Sequence, residues 1–218
     1  MSPSTLTLRR LHIASPIGDL LALATDRGLC ALEFPRSGAR RQAEEPERRL
    51  NGRSARTDPP DSLALHPTLQ RRLDRWFPAH EIVEGVTPIL ARTRDWLSAY
   101  FDSDGDAAPA VTGMNDLPLD LRGAPFEQRV WTALLDIPPG ATASYGAIAA
   151  RLGTPGAARA VGAANGANPV SIIVPCHRVI GSSGKLTGYG GGLDRKKWLL
   201  EHEARWRRGW LFSDAIHG

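Results

Sequence analysis

The stretch SYGAIAARLGTPGAARAVGAANGANPVSIIVPCHRVIG, Ser144 to Gly181, decides how this 218-residue chain is read. Ser144 is placed to N-cap a short helix whose Tyr145, Ile148, Ala149 and Leu152 fall on one side, and Gly153 closes it. Thr154 and Pro155 predict the start of a second helix, with Thr as the cap and Pro at the first position, running through Ala157 to Ala164. Two short helices joined by a turn of about three residues make a helix-turn-helix. The second helix is almost wholly Ala and Gly, with Arg159 its one long side chain before Asn165. Small residues let a helix axis approach a surface closely, and a lone Arg on such a face projects like a finger. Equally, Ala-rich helices are ordinary and an Arg on one reaches solvent. A reader of the major groove needs several polar side chains at the helix start. This helix has few, so close approach to a minor groove, with Arg wedged into the stack, suits it better.

Downstream, Asn165 to Pro169 is rich in turn formers, and Asn168 before Pro169 can bond its own backbone and fix the bend. Val170 to Val174 is a β-branched run that predicts a short buried strand, stopped by Pro175. Cys176 and His177 follow. A thiol at the end of a buried strand with a histidine beside it invites nucleophilic chemistry. The nucleophile is the thiolate, and a free thiol with a pKa of about 8.5 is mostly protonated at neutral pH, so a base or relay must deprotonate it. His177 is the nearest base, although adjacent side chains often diverge. A core cysteine beside a structural histidine is the other reading of the same pair. After the glycine-rich 181–192, Asp194 to Glu203 reads as a helix with Trp198, Leu199 and His202 on one side; Glu203, a turn beyond Leu199, stands where it can orient His177.

Toward the N-terminus, Pro125 opens a helix carrying Phe126, Val130, Trp131 and Leu134 on one face, ended by Pro138-Pro139-Gly140. Leu6 to Ala14, Leu20 to Thr25 and Leu29 to Phe34 read as strands separated by tight polar turns, an antiparallel meander with Cys30 in its core. Leu69 to Phe77 and Pro88 to Phe101 have helical spacing. Residues 35–60 hold four Pro and seven Arg with almost no large apolar residues, the composition of a flexible surface insertion. Residues 102–116 are small and acidic, and Leu117 to Leu121 predicts one more strand. The expected organisation is a domain over 1–105, a linker over 106–121 and a second domain over 122–218.

Apolar residues make up 42% of the chain and charged ones 23%, enough to pack a core and against wholesale disorder. No run approaches the ~20 apolar residues of a membrane helix, and Met1-Ser-Pro-Ser lacks the order of a signal peptide. Two cysteines make neither a disulfide framework nor a four-cysteine zinc site. The expectation is a soluble cytoplasmic protein in a reducing compartment. The formal net charge of +4 is unevenly divided: residues 1–121 carry −2 and residues 122–218 carry +6. A basic half suggests an anionic partner, most simply nucleic acid, while Arg outnumbering Lys 24 to 3 also fits plain compositional bias.

Val174-Pro-Cys-His-Arg-Val-Ile-Gly181 resembles the active-site motif of the O6-alkylguanine-DNA alkyltransferases, bacterial methylated-DNA–protein-cysteine methyltransferases above all. Phe126-Glu-Gln-Arg-Val-Trp131, Ile137-Pro-Pro-Gly140, Ser144-Tyr145, Ala158-Arg-Ala-Val-Gly162, Asn168-Pro169, Gly188-Tyr189 and Trp198-Leu-Leu-Glu-His-Glu203 follow in that family's order and spacing. Ser15-Pro-Ile-Gly18 and Pro88 to Phe101 resemble its N-terminal domain.

The resemblance implies an RNase H-like α/β first domain, with an antiparallel sheet plus helix, and a mainly α, winged-helix-like second domain with a helix-turn-helix. It implies direct repair of O6-alkylguanine, and of O4-alkylthymine, by irreversible stoichiometric transfer of the alkyl group to Cys176. His177 (through a water) and Glu203 then form the relay that deprotonates Cys176, Tyr145 donates to N3 of the flipped base, and Asn168 is the hinge after the helix pair. Arg159, with Ala158, Ala160, Gly162 and Tyr145, meets DNA in the minor groove, and Val179, Gly190, Tyr189 and Ser171 form the base pocket. No cofactor or metal is expected: some relatives carry zinc in the first domain, but the matching positions here include Thr25 and Cys30 and give no four-ligand set. The expected partner is double-stranded DNA bearing the lesion, bound by a monomer, with cooperative assembly left open. A lesion binder without chemistry and a Cys-His-Glu hydrolase are the competing readings.

Overall fold

The computed structural model describes residues 5–35, 65, 67–103 and 117–213. The expected insertion past Pro35 and the linker before Leu117 lie outside the described residues.

Strands β1 (Leu6–Ile13), β2 (Leu20–Ala24) and β3 (Leu29–Glu33) form the antiparallel meander. The β1–β2 turn closes where Gly18, at φ +106°, donates its N–H to Ser15 O, a left-handed conformation that favours glycine. Alternate side chains of the sheet face two helices. Leu8, Leu23 and Ala31 pack with Leu69 and Leu73 of α1 (Pro67–Trp76). Ala22, Ala24 and Leu32 join the larger core with Leu90, Leu97 and Tyr100 of α2 (Pro88–Asp102), which Thr87 caps and Pro88 opens.

The sheet has a fourth strand that the sequence reading missed. Strand β4 (His80–Glu84) runs parallel to β1, so the order is β3-β2-β1-β4 and the sheet is mixed, not purely antiparallel. It is an edge strand whose charges bond across to β1, with Thr7 Oγ1 donating to Glu81 Oε1 at 2.8 Å and Arg10 Nε to Glu84 Oε1 at 2.6 Å. Charged edges of this kind discourage pairing with other chains.

The second half holds α3 (Pro125–Leu135), β5 (Ala143–Ser144), α4 (Tyr145–Arg151), α5 (Ala158–Gly166), one 3₁₀ turn (Cys176–Arg178), β6 (Val179–Ile180) and α6 (Leu193–Ser213). Ser144 caps α4 as expected, accepting from Ala147 N. Trp131 of α3 is fully buried, and its indole N–H donates to Ala164 O of α5 at 2.8 Å, fixing the helix-turn-helix against α3.

Three local expectations need correction. Helix α5 starts at Ala158, not at Pro155: Thr154 bonds back to Ala149 O and Gly156 takes φ +92°, so those residues form the turn. Leu117–Leu121 is no strand; Leu119 makes a single bridge to Leu29. Val170–Val174 is also no strand. Val170 bridges Leu32, and then Ile173 N bonds Ser171 O, Val174 N bonds Val170 O, and Ile172 sits at φ +71°. Asn168 overrides the β-branched preference, because its amide takes Val170 O and Val174 O while its Oδ1 accepts from Val170 N.

The outer edge of β3 is where the two halves meet. Leu29 exchanges main-chain bonds with Pro118 and Asp120, and Leu32 with Pro169 and Ser171, all within 3.0 Å. Gly28 permits the first contact, since a Cβ there would lie 2.6 Å from Pro118 O. One core runs through both halves, from Leu20 and Leu32 to Trp131, Val174 and Leu199.

Candidate active site

Cys176 opens the 3₁₀ turn and is 5% exposed, at the floor of an open cavity of about 610 Å³. One wall is the helix pair, with Tyr145, Ala158, Arg159, Gly162, Asn165 and Gly166; the other is the glycine-rich loop, with Gly181, Thr187, Gly188, Tyr189 and Gly190. Arg159 is exposed at the first turn of α5, on the rim. Tyr145 OH accepts from Thr187 Oγ1 at 3.0 Å and keeps its own hydrogen to donate. Asn168 holds the chain entering Cys176 through Val174 O, and Asn165 Nδ2 donates to Cys176 O at 3.3 Å.

The two residues after the cysteine, His177 and Arg178, belong to a buried ionic cluster. Glu203 of α6 is fully buried and accepts five hydrogen bonds. Oε1 receives His177 Nε2 at 2.9 Å, Arg178 Nη2 at 2.8 Å and Tyr100 OH at 2.7 Å. Oε2 receives Arg178 Nε at 2.9 Å and Gly140 N at 3.0 Å. Arg178 also donates to Ile137 O at 2.6 Å. Burial alone disfavours the Glu203 carboxylate, but His177 and the Arg178 fork outweigh it and hold this carboxyl well below the usual range. Burial dominates at His177 and, with Arg178 and Lys196 nearby, lowers its pKa despite Glu203. We therefore read a neutral imidazole beside an ionised carboxylate that Arg178 balances. Because the carboxylate only accepts, Nε2 carries the histidine's hydrogen, and Nδ1 is an unprotonated base. Nδ1 is buried without a hydrogen-bond partner among the described residues.

Burial pushes the Cys176 thiol above its ordinary value; Asn168, the Lys196 charge and main-chain N–H groups partly offset this. Lys196 is buried, donates to Val179 O and Thr187 O, and is pulled down by burial. Cys176 therefore rests as a thiol, with the Lys196 charge favouring its anion, and the adjacent His177 rests as a neutral imidazole.

Of the residues singled out from sequence, Tyr145, Ala158, Arg159, Gly162, Cys176, Tyr189 and Gly190 meet on the cavity. His177, Glu203 and Asn168 are buried, with His177 and Glu203 bonded to each other and Asn168 bonded to Val174 O, two residues before the cysteine. Val179 and Ser171 are buried and do not line the cavity, and Ala160 is exposed away from it. Sequence reasoning missed Tyr100, Arg178, Lys196 and Asn165. Arg178 stood next to the Cys-His pair, yet a buried arginine is visible only once its carboxylate, 25 positions away, is placed. Among the described residues no three His, Cys, Asp or Glu side chains converge as metal ligands. Cys30 lies apart, its thiol pushed up to about 12 by burial. No helix among the described residues is long and apolar enough to cross a membrane.

A helix-turn-helix wall facing a buried cysteine, with a buried histidine–glutamate pair starting at the next residue, defines a class: proteins that join a nucleic-acid-binding helix pair to a single thiol. The family model for the DNA-binding domain of 6-O-methylguanine DNA methyltransferase matches residues 125–205. A Mycobacterium tuberculosis relative named methylated-DNA--protein-cysteine methyltransferase is 64% identical over 139 residues, covering 64% of this chain and 76% of the relative. The crystal structure of M. tuberculosis O6-methylguanine methyltransferase superposes with a TM-score of 0.61 at 39% identity, covering 92% of this chain and 93% of that one. That organism's OGT in complex with DNA gives 0.60 at 39% identity, over 92% and 94% of the two chains. The chain belongs to the methylated-DNA–protein-cysteine methyltransferase family.

Proposed function

We propose that this protein repairs alkylated DNA directly, by moving the alkyl group of O6-alkylguanine, and of O4-alkylthymine, onto Cys176. The observation that carries the reading is that Cys176 lines an open cavity between the helix pair and the glycine-rich loop, while the next residue, His177, is buried and bonded to Glu203. In the step, the thiol proton passes through a bridging water to His177 Nδ1 while Glu203 steadies the imidazolium. The sulfur attacks the O-alkyl carbon in line, an S–C bond forms, and the C–O bond breaks. Tyr145 donates to N3 of the departing guanine, which neutralises its charge. A thioether does not hydrolyse, so one molecule serves one lesion.

The target carbon lies inside a stacked duplex, and extruding the nucleotide costs a few kcal/mol. Arg159, exposed on the rim of a helix built of Ala and Gly, suits the gap left behind. Ala158, Ala160 and Gly162 let the α5 axis approach a minor groove. Tyr189 and Gly190 form the base pocket, with main-chain groups at Cys176 and Gly190 meeting the base edge. Asn168 is the hinge between helix pair and cysteine. We assign 1–105 to an RNase H-like domain, 106–121 to a linker and 122–218 to a winged-helix-like domain, in a cytoplasmic monomer.

Incubation with duplex DNA bearing O6-methylguanine, followed by digestion and mass measurement, tests the reading. One methyl gained on the Cys176 peptide, absent in Cys176→Ala with DNA binding retained, is the expected result. Binding with unchanged mass makes the protein a lesion binder. A transient adduct with repeated release of product makes it a hydrolase. Either outcome overturns the proposal.

A further inference from the structure

We propose that Tyr100 of α2 is a positioning residue of the proton relay: its hydroxyl donates to the same Glu203 oxygen that receives His177, and so orients that carboxylate and limits how strongly it draws on the histidine. The proposal rests on the alkyl-transfer reading above. It makes the first half of the chain a contributor to the chemistry as well as a scaffold.

The geometry is specific. Tyr100 is fully buried and its OH lies 2.7 Å from Glu203 Oε1. Its ring stacks on Trp96 at 5.2 Å and meets Phe101 and Trp206 edge-on at 5.2 and 5.1 Å. Its main-chain carbonyl accepts from His202, the neighbour of Glu203, at 2.7 Å. The α2 helix is thus pinned to two successive residues of α6. Ring packing alone would be met by phenylalanine, so the hydroxyl has a separate use. A carboxylate offers about four acceptor positions, and Glu203 takes five donors. Each donor draws charge from the oxygen facing His177. Without the tyrosine hydroxyl the carboxylate pulls harder on the Nε2 hydrogen, and Nδ1 becomes more basic. The other ionisable groups around this pair are Arg178 on the 3₁₀ turn, Lys196 and His202 on α6, Tyr189 on the loop, and Cys176 itself. A change confined to the hydroxyl leaves all of them in place.

The test is the rate of Cys176 alkylation against pH in Tyr100→Phe, with methylated duplex and with a free alkylguanine base. We expect the acid limb to move to higher pH, because a more basic His177 is protonated earlier as pH falls. At neutral pH the rate should drop roughly threefold to tenfold with both substrates, the scale of one ordinary net hydrogen bond, with DNA affinity unchanged. Site-specific 3-fluorotyrosine at position 100 keeps ring and hydroxyl but is a stronger donor, so it should move the limb the other way, and it decides the matter where Tyr100→Phe does not fold. An unmoved limb in the variant that folds, with or without a uniform loss of rate, leaves the hydroxyl a packing detail and overturns the proposal. Failure of the repair reading looks different: the wild-type protein itself gains no alkyl group at Cys176.

Discussion

Two glutamates among the described residues, one buried and one half-buried, behave in opposite ways. Glu203, bonded to His177, receives five donors, two of them from the Arg178 fork, and its carboxyl is held well below the ordinary range. Glu33, at the end of β3, has Arg72 no nearer than 3.9 Å, and burial pushes it up to about 7. Burial disfavours the charge at both sites; the donors decide the outcome. The carboxylate bonded to the histidine has donors from three parts of the chain: the 3₁₀ turn, with His177 and the Arg178 fork, α2 and Gly140. The other carboxylate has been left nearly alone.

The largest expected effect comes from removing the charge at the well-supplied site. In Glu203→Gln the Arg178 guanidinium becomes a buried charge without a counter-ion, which costs about 3–5 kcal/mol of stability. Alkyl transfer should fall on the order of 10²–10⁴-fold, since the amide no longer holds His177 in the tautomer that leaves Nδ1 free. Chemical denaturation and single-turnover kinetics check both, and wild-type kinetics in the variant would break the contrast. Acid should act in the same direction. The depressed Glu203 pKa makes its contribution to stability present above the unfolded value of about 4.5 and lost as pH falls below it.

A smaller effect is expected from Arg178→Lys. An ammonium keeps the charge but cannot span Glu203 and Ile137 O as the guanidinium does. We expect a stability loss of about 1–3 kcal/mol, one or two charge-assisted hydrogen bonds, with repair slowed but measurable. No loss in thermal or urea unfolding would mean that charge alone, without the fork, keeps Glu203 ionised.

The difference between the two sites also marks what the sequence made legible. Helices with a first-turn proline and a full apolar face, such as 88–102 and 125–135, were readable because local rules and tertiary packing agree there. Cys176, His177 and Glu203 were singled out from residue type and spacing, helped by the family resemblance. Strand β4 was not, because its stretch HEIVE is mostly polar and its parallel partner lies some seventy positions away. Val170–Val174 read as a strand because β-branched residues outvoted one asparagine, yet Asn168 supplies three hydrogen bonds that fold the segment into turns. Tyr100 read as one more apolar position on a helix face; only its contact across 103 positions reveals the hydroxyl's partner.

Glu33 offers the finest test, because its effect is small and its sign is opposite. Its folded pKa lies above the unfolded value of 4.5. A raised pKa means that the folded state binds the proton more tightly. The group's contribution to stability is therefore whole below about 4.5 and is lost as pH rises through about 7. Glu33→Gln keeps the shape and removes the titration, so wild type and variant should be nearly equal in stability at pH 5. At pH 8 the variant should be the more stable by on the order of 1–3 kcal/mol. Urea unfolding at the two pH values measures the difference directly. A variant less stable than wild type at pH 8 would mean that Arg72, at 3.9 Å, already supplies what Glu33 needs. In that case a single distant cation suffices to keep a buried carboxylate charged, and the five donors around Glu203 must serve the orientation of His177 more than the ionisation of the acid.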